Sequence, residues 1–244
     1  MMILPSKKDA IHKMWLYRIL EEIADDSYLE SVLYFKGGTA ASMLGWLDRF
    51  SVDLDFDYAL TSDNDIEKTR IALEKIFKKL GLQIKDKSKN GIQYFLKYQN
   101  EGRSIIKIDV SFPIFSKSKY ESQRFVEIDR ILKCQTRETM FAHKLVTLMD
   151  RFKKTGHIAG RDIYDVHYFF MNGYKYDEKV IEERVGKNVK EFLLELLSFI
   201  ENEVTEKVIT EDLSSLLPLE KFTLIRKVLK REVITLIKDE INAI

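Results

Sequence analysis

Apolar and polar positions change rhythm along the 244 residues, and the changes predict the elements. Residues 7–25 place Ile11, Met14, Trp15, Ile19 and Ile23 at helical spacing. A short apolar run from about Val32 to Phe35 predicts a strand that meets Gly37-Gly38. After it, TAASMLGWL has the small and apolar residues of a short helix. SVDLDFDY then alternates with period two, the signature of a strand. Residues 63–80 predict an amphipathic helix through Ile66, Ile71, Leu73, Ile76, Phe77 and Leu80, stopped by Gly81. Strands are predicted at 82–86, 92–98 and 104–112, with turns at Lys89-Asn90-Gly91 and Asn100-Glu101-Gly102, and a further strand near Arg124 to Asp129.

From about residue 136 the pattern is helical to the end. Thr136 caps a helix to about Lys153, a second begins near Arg161, a third covers 188–203, and a fourth runs from Pro218. In the last, Phe222, Ile225, Leu229, Leu236 and Ile237 form an apolar stripe. The reading is an α+β fold, with a mixed-sheet domain over 1–133 followed by an all-helical domain over 134–244.

Composition narrows the partners. Lys and Arg number 40 and Asp and Glu 39, so the net charge of +1 gives no global attraction to polyanions. Local basic groups, Lys153-Lys154 and Lys227/Lys230/Arg231, are candidates for RNA contact, although each also suits a solvated helix face. The single cysteine, Cys134, excludes an intramolecular disulfide, and the four histidines lack zinc-ligand spacing. No run approaches the roughly 18 apolar residues of a membrane span, and MMILPSKKDAIHKMW lacks the apolar core of a secretory signal. These features predict a soluble cytoplasmic protein.

The candidate chemistry is acidic. Alternation puts Asp53, Asp55 and Asp57 on one face of the SVDLDFDY strand, where three carboxylates repel unless water or a cation relieves them. In SIIKIDVSF, Asp109 shares a face with Ile105, Lys107 and Ser111, opposite Ile106, Ile108 and Val110. If the two strands are neighbours, Asp53, Asp55 and Asp109 form an oxygen cluster suited to two hard divalent ions and phosphoryl chemistry. The Gly37-Gly38-Thr39 turn lets backbone approach phosphate closely. Arg49 and Ser51, just before the acidic strand, are candidates for triphosphate oxygens.

KGGTAASMLGWLDRFSVDLDFDY resembles the first motif of the AbiEii/AbiGii toxin family of nucleotidyltransferases, a branch of the DNA polymerase β-like superfamily. Thirteen residues separate Thr39 from Asp53. IKIDVS is similar to the strand carrying that family's third carboxylate, at Asp109. TMFAHKLVTLMDR and GRDIYDV are similar to its later motifs. The resemblance implies a polymerase β-like mixed sheet and metal binding by Asp53, Asp55 and Asp109 through Mg²⁺, two ions, with Mn²⁺ as a substitute. It implies nucleotide binding by Gly37, Gly38, Thr39, Arg49, Ser51 and Lys144, and roles in catalysis for Lys144 and Asp162, with Asp165 the weaker of the aspartate pair. It further implies an NTP donor, a tRNA or other RNA acceptor, a cognate antitoxin, and a toxin of a toxin–antitoxin or phage-defence system. Read from the residues alone, Lys144 can equally snorkel to water beside the stripe Phe141, Leu145, Leu148 and Phe152. Asp162 and Asp165 can equally cap their helix. Two other classes stay open: a metal-dependent nuclease, for which Lys107 precedes rather than follows its carboxylate, and a non-catalytic RNA- or partner-binding module.

Overall fold

The computed structural model describes residues 2–60, 62–100 and 104–244; Glu101 and Gly102 of the expected turn lie outside the described residues. The chain divides into two compact units. One comprises Met1–Ile114 with Lys119–Gln135, the other Phe115–Ser118 with Thr136–Ile244.

The first unit is α+β. Its helices are α1 (Asp9–Asp25), α2 (Ser27–Val32), α3 (Gly37–Met43) and α4 (Asp63–Lys79). Its strands are β1 (Leu33–Lys36), β2 (Leu54–Tyr58), β3 (Gln83–Lys87), β4 (Ile92–Lys97), β5 (Ile105–Ser111), β6 (Tyr120–Phe125) and β7 (Arg130–Gln135). Among the described residues they form one seven-stranded mixed sheet in the order β3-β4-β5-β2-β1-β7-β6. β2 runs parallel to β5 and β1 parallel to β7, and the remaining neighbours are antiparallel.

Alternation gives the sheet two unlike faces. Leu33, Phe35, Leu54, Phe56, Ile106, Ile108, Ile92, Tyr94, Leu96, Leu132 and Cys134 are all buried. This is the face that helices cover: Tyr58 Oη lies 2.7 Å from Thr69 Oγ1 on α4, and the Phe77 and Tyr94 rings sit 5.1 Å apart. The opposite face carries the polar register partners Gln93, Asp109, Asp55 and Lys36.

Three sequence expectations need correcting here. The buried stripe of α1 is His12, Leu16, Ile19, Leu20 and Ile23, while Ile11 and Met14 are exposed. His12 takes an inward position because both ring nitrogens find partners there. On α4, Ile71 is exposed and Thr69 is buried, its hydroxyl bonded to Tyr28 and Tyr58. The strand expected near Arg124 to Asp129 is a β6–β7 hairpin. Its chain turns at Val126–Ile128 and at Asp129, whose φ is 48°.

The second unit is helical: α5 (Arg137–Thr155), α6 (Gly160–Met171), α7 (Glu178–Val185), α8 (Val189–Glu203), α9 (Glu206–Leu213) and α10 (Leu219–Ala243). Thr136 caps α5 by accepting from Thr139 N–H. α7 and α9 are eight residues each, too short to show a stripe, and are capped by Asp177 and Thr205. Phe141 of α5 packs edge-on against Phe169 and Phe170 of α6, each at 4.9 Å between ring centres. The segment Phe115–Ser118 is held to this unit: the N–H groups of Ser116 and Lys117 donate to Glu183 at 2.8 and 2.9 Å. His143 accepts from Arg184 at Nδ1 and meets Ser118 Oγ at 3.0 Å. His167 likewise pairs with Glu232. Among the described residues no helix is long and apolar enough to cross a membrane.

Candidate active site

The acidic strands are neighbours. β2 and β5 pair in parallel with Asp55 directly opposite Asp109, and on the other side of β2 Asp55 is opposite Lys36. Parallel partners in register project to the same face, so the two carboxylates stand side by side. Asp53 lies just before β2, on the same face by alternation, with its side chain half-buried.

The turn before α3 is fitted to these groups. Gly37 has φ of +80°, and a Cβ there would fall 2.5 Å from Asp55 Oδ2. Only glycine gives both that backbone angle and that clearance. A Cβ on Gly38 would meet Ser51 Oγ at 2.8 Å and Arg49 Nη2 at 2.9 Å. Thr39 is buried and its hydroxyl donates to the Asp53 carbonyl. The predicted residues Gly37, Gly38, Thr39, Arg49, Ser51, Asp53, Asp55 and Asp109 thus gather in one unit. Arg49 is only 2% exposed, with Nη1 donating to the Phe50 carbonyl, so its charge sits behind the diglycine turn.

Asp57 is different from its strand mates. It is 6% exposed and accepts from Lys36 Nζ at 2.6 Å, Tyr120 Oη at 2.6 Å and Gln135 Nε2. These donors answer the buried charge locally, so of the three carboxylates expected on this face Asp57 needs neither water nor a cation. Sequence spacing cannot show this, because Tyr120 and Gln135 arrive from β6 and β7, far along the chain.

Asp109 is also bound. Gln93 Nε2 donates to Oδ1 at 3.1 Å, and Lys107 Nζ lies 2.5 Å from Oδ2. Both members of the Lys107–Asp109 pair keep about a third of their side-chain surface, 30% and 32%.

His12 was not singled out by its spacing and proves to be a support. Its Nε2 lies 2.9 Å from the Val52 carbonyl and Nδ1 lies 2.9 Å from Tyr98 Oη. A carbonyl only accepts, so Nε2 carries the proton and Nδ1 accepts from the tyrosine. The residue before Asp53 is fixed by this bond.

The residues suit a hard divalent cation. Asp55 and Asp109 offer carboxylate oxygens side by side, and the glycine at position 37 leaves clear the space a side chain would fill beside Asp55. Among the described residues no three His, Cys, Asp or Glu side chains are gathered into a ready cage. Magnesium rarely needs one, since one or two carboxylates with water and substrate phosphates complete its shell.

Lys144 and Asp162 belong to the helical unit and form their own cluster. Lys144 Nζ lies 2.6 Å from Asp165 Oδ2 and 4.0 Å from Asp162 Oδ1, and Arg151 Nε lies 2.9 Å from Asp162 Oδ2. Asp162 and Asp165 are 2% and 0% exposed. Asp165, ranked second from sequence, is the nearer partner of Lys144. Arg151 was missed, although it sits seven residues after Lys144 and so on the same face of α5. Gly160 opens α6 because a Cβ there would meet the Val208 carbonyl oxygen at 2.7 Å.

Residues 18–222 match the family model described as nucleotidyl transferase AbiEii toxin, type IV TA system. The fold is similar to that of JHP933 from Helicobacter pylori, at TM-score 0.52 and 19% identity, covering 99% of this chain and 97% of that one. It is similar in the same degree to a crystal structure of a putative nucleotidyltransferase from H. pylori, at TM-score 0.52 and 19% identity, with 96% and 98% covered. No curated protein sequence matches the chain.

Proposed function

The chain belongs to the AbiEii family of nucleotidyltransferase toxins, and from that premise we propose that it transfers NMP from an NTP to an acceptor hydroxyl, with Mg²⁺ as metal and a tRNA 3′ end as acceptor. The observation that carries the reading is the register of Asp55 with Asp109 beside the diglycine turn. A bound divalent ion would supply Lewis-acid stabilisation of the charge that builds on the triphosphate. Asp55 and Asp109 would hold it, with Asp53 as the third carboxylate, and Mn²⁺ would serve as a substitute.

The residues of the chain divide the remaining work. The Gly37–Thr39 turn, with Arg49 and Ser51 behind it, receives the phosphates: its backbone can approach them closely, and the Arg49 charge lies directly behind Gly38. The acceptor oxygen attacks the α-phosphorus in line, a new P–O bond forms, and the bond to the bridging oxygen of pyrophosphate breaks. Asp109 takes the acceptor's proton. Lys144 and Asp162 take part in catalysis, a role supported by the motif match and by the ion-pair cluster that fixes the lysine. The family description also implies a cognate antitoxin and a nucleotide substrate. Cellular context, as a cytoplasmic toxin of a toxin–antitoxin or phage-defence system, follows the same premise.

The test uses four α-labelled NTPs with Mg²⁺ and total tRNA. Label should move to RNA with the wild-type chain and fall by at least about 100-fold with Asp55→Asn or Asp109→Asn. Full transfer by either variant, or NTP-independent shortening of the RNA, would refute the reading.

A further inference from the structure

We propose that Lys107 is a built-in competitor for the divalent cation, occupying Asp109 until metal displaces it. The inference rests on the metal-dependent reading above and adds a residue that sets how tightly the site takes its ion.

The geometry is local and simple. Lys107 and Asp109 are two apart on β5, so both project to the polar face of the sheet. The lysine folds along the strand and its ammonium lies 2.5 Å from Asp109 Oδ2, while Gln93 holds Oδ1 at 3.1 Å. Both oxygens of this carboxylate therefore have a donor, and Asp55 stands next to it in register. Two adjacent carboxylates repel, and the ammonium offsets that repulsion in the metal-free protein.

A divalent ion changes the balance. Magnesium sits about 2.0–2.1 Å from each oxygen it binds. An ion shared by Asp55 and Asp109 and an ammonium on Oδ2 would be like charges a few ångströms apart. The weaker ligand leaves. Lys107 is suited to leaving, because an ammonium on a flexible stem has no fixed fork and the pair retains about a third of its exposure. Lys36 does not have this freedom: its ammonium is held by the buried Asp57.

The test measures Mn²⁺ binding by loss of the free-ion paramagnetic resonance signal, with no nucleotide present. Lys107→Met should bind Mn²⁺ about tenfold more tightly than wild type, since one competing unit charge is removed. Lys107→Gln should shift the same way by less. Lys107→Arg should bind more weakly than wild type, because a guanidinium grips a carboxylate through two bonds. The rise in melting temperature on adding Mn²⁺ should be largest for Lys107→Met. Equal or weaker binding by Lys107→Met, with wild-type binding intact and lost in Asp109→Asn, overturns the role of Lys107 alone. Absence of Mn²⁺ binding by the wild-type chain overturns this role, and if label transfer is also unaffected by Asp55→Asn and Asp109→Asn, the metal-dependent reading falls with it.

Discussion

Lys144 on α5 and Asp165 on α6 form an ion pair 2.6 Å long, with the aspartate wholly buried. A buried carboxylate that loses an ion-pair partner is expensive, because the interior does not solvate its charge as water does. Lys144→Met should therefore lower stability by about 3–5 kcal/mol. Lys144→Met combined with Asp165→Leu should be less destabilised than Lys144→Met alone. Urea unfolding of the three chains checks this, and equal midpoints for wild type and Lys144→Met would contradict it.

Gly37 and Gly45 separate two effects of glycine. Both have positive φ, +80° and +72°, yet a Cβ on Gly37 would collide with Asp55 and one on Gly45 would meet nothing within 4 Å. Gly45→Ala should cost roughly 1–2 kcal/mol of backbone strain and keep activity. Gly37→Ala should carry a similar strain and also displace Asp55, lowering transfer by about 100-fold or more. Equal activities in the two variants would show that clearance beside Asp55 is irrelevant.

Asp55 and Asp57, two apart on β2, should respond oppositely to neutralisation. Asp57→Asn removes a buried charge from Lys36, Tyr120 and Gln135 and should lower stability by about 2–4 kcal/mol. Asp55→Asn relieves repulsion with Asp109 and touches a less buried side chain, so it should cost less stability than Asp57→Asn while transfer is lost. Thermal unfolding and label transfer, measured side by side, give the two readings. A stable, inactive Asp57→Asn would reverse the assignment.

Cys134 reports on the sheet. It is fully buried on β7, and burial pushes its thiol well above the ordinary range, with Glu121 adding to the shift. A thiol held protonated and out of reach should react with a disulfide reagent at pH 8 at least about 100-fold more slowly than in urea. Fast labelling of the native chain would mean that β6 and β7 open readily.

The legibility of the fold was uneven for identifiable reasons. Period-two alternation located β2 and β5 and the polar side of each, while their adjacency, on which the pairing of Asp55 with Asp109 depends, is supplied by the fold. The same rule could not reveal that Asp57 is buried. That depends on donors from β6 and β7, a hairpin whose turn at residues 126–129 carries no glycine or proline to mark it along the chain. α1 misled because His12 behaves as a core residue once Val52 and Tyr98 satisfy its ring, which displaces Ile11 and Met14 outward. α7 and α9 span two turns each and bury only two residues apiece, too few to stand out along the sequence. The Lys144 cluster was half visible: α6 shows Asp162 and Asp165 one turn apart, but Arg151 gains meaning only when α5 is set against α6.

The division of labour between odd and even positions on β2 and β5 has an evolutionary consequence. Packing is carried by Leu54, Phe56, Ile106 and Ile108, while Asp55, Lys107 and Asp109 face away from that interior. Substitution on the polar set can therefore change the chemistry of the site without eroding the packing of the other set. Such a scaffold keeps its architecture while its polar face varies.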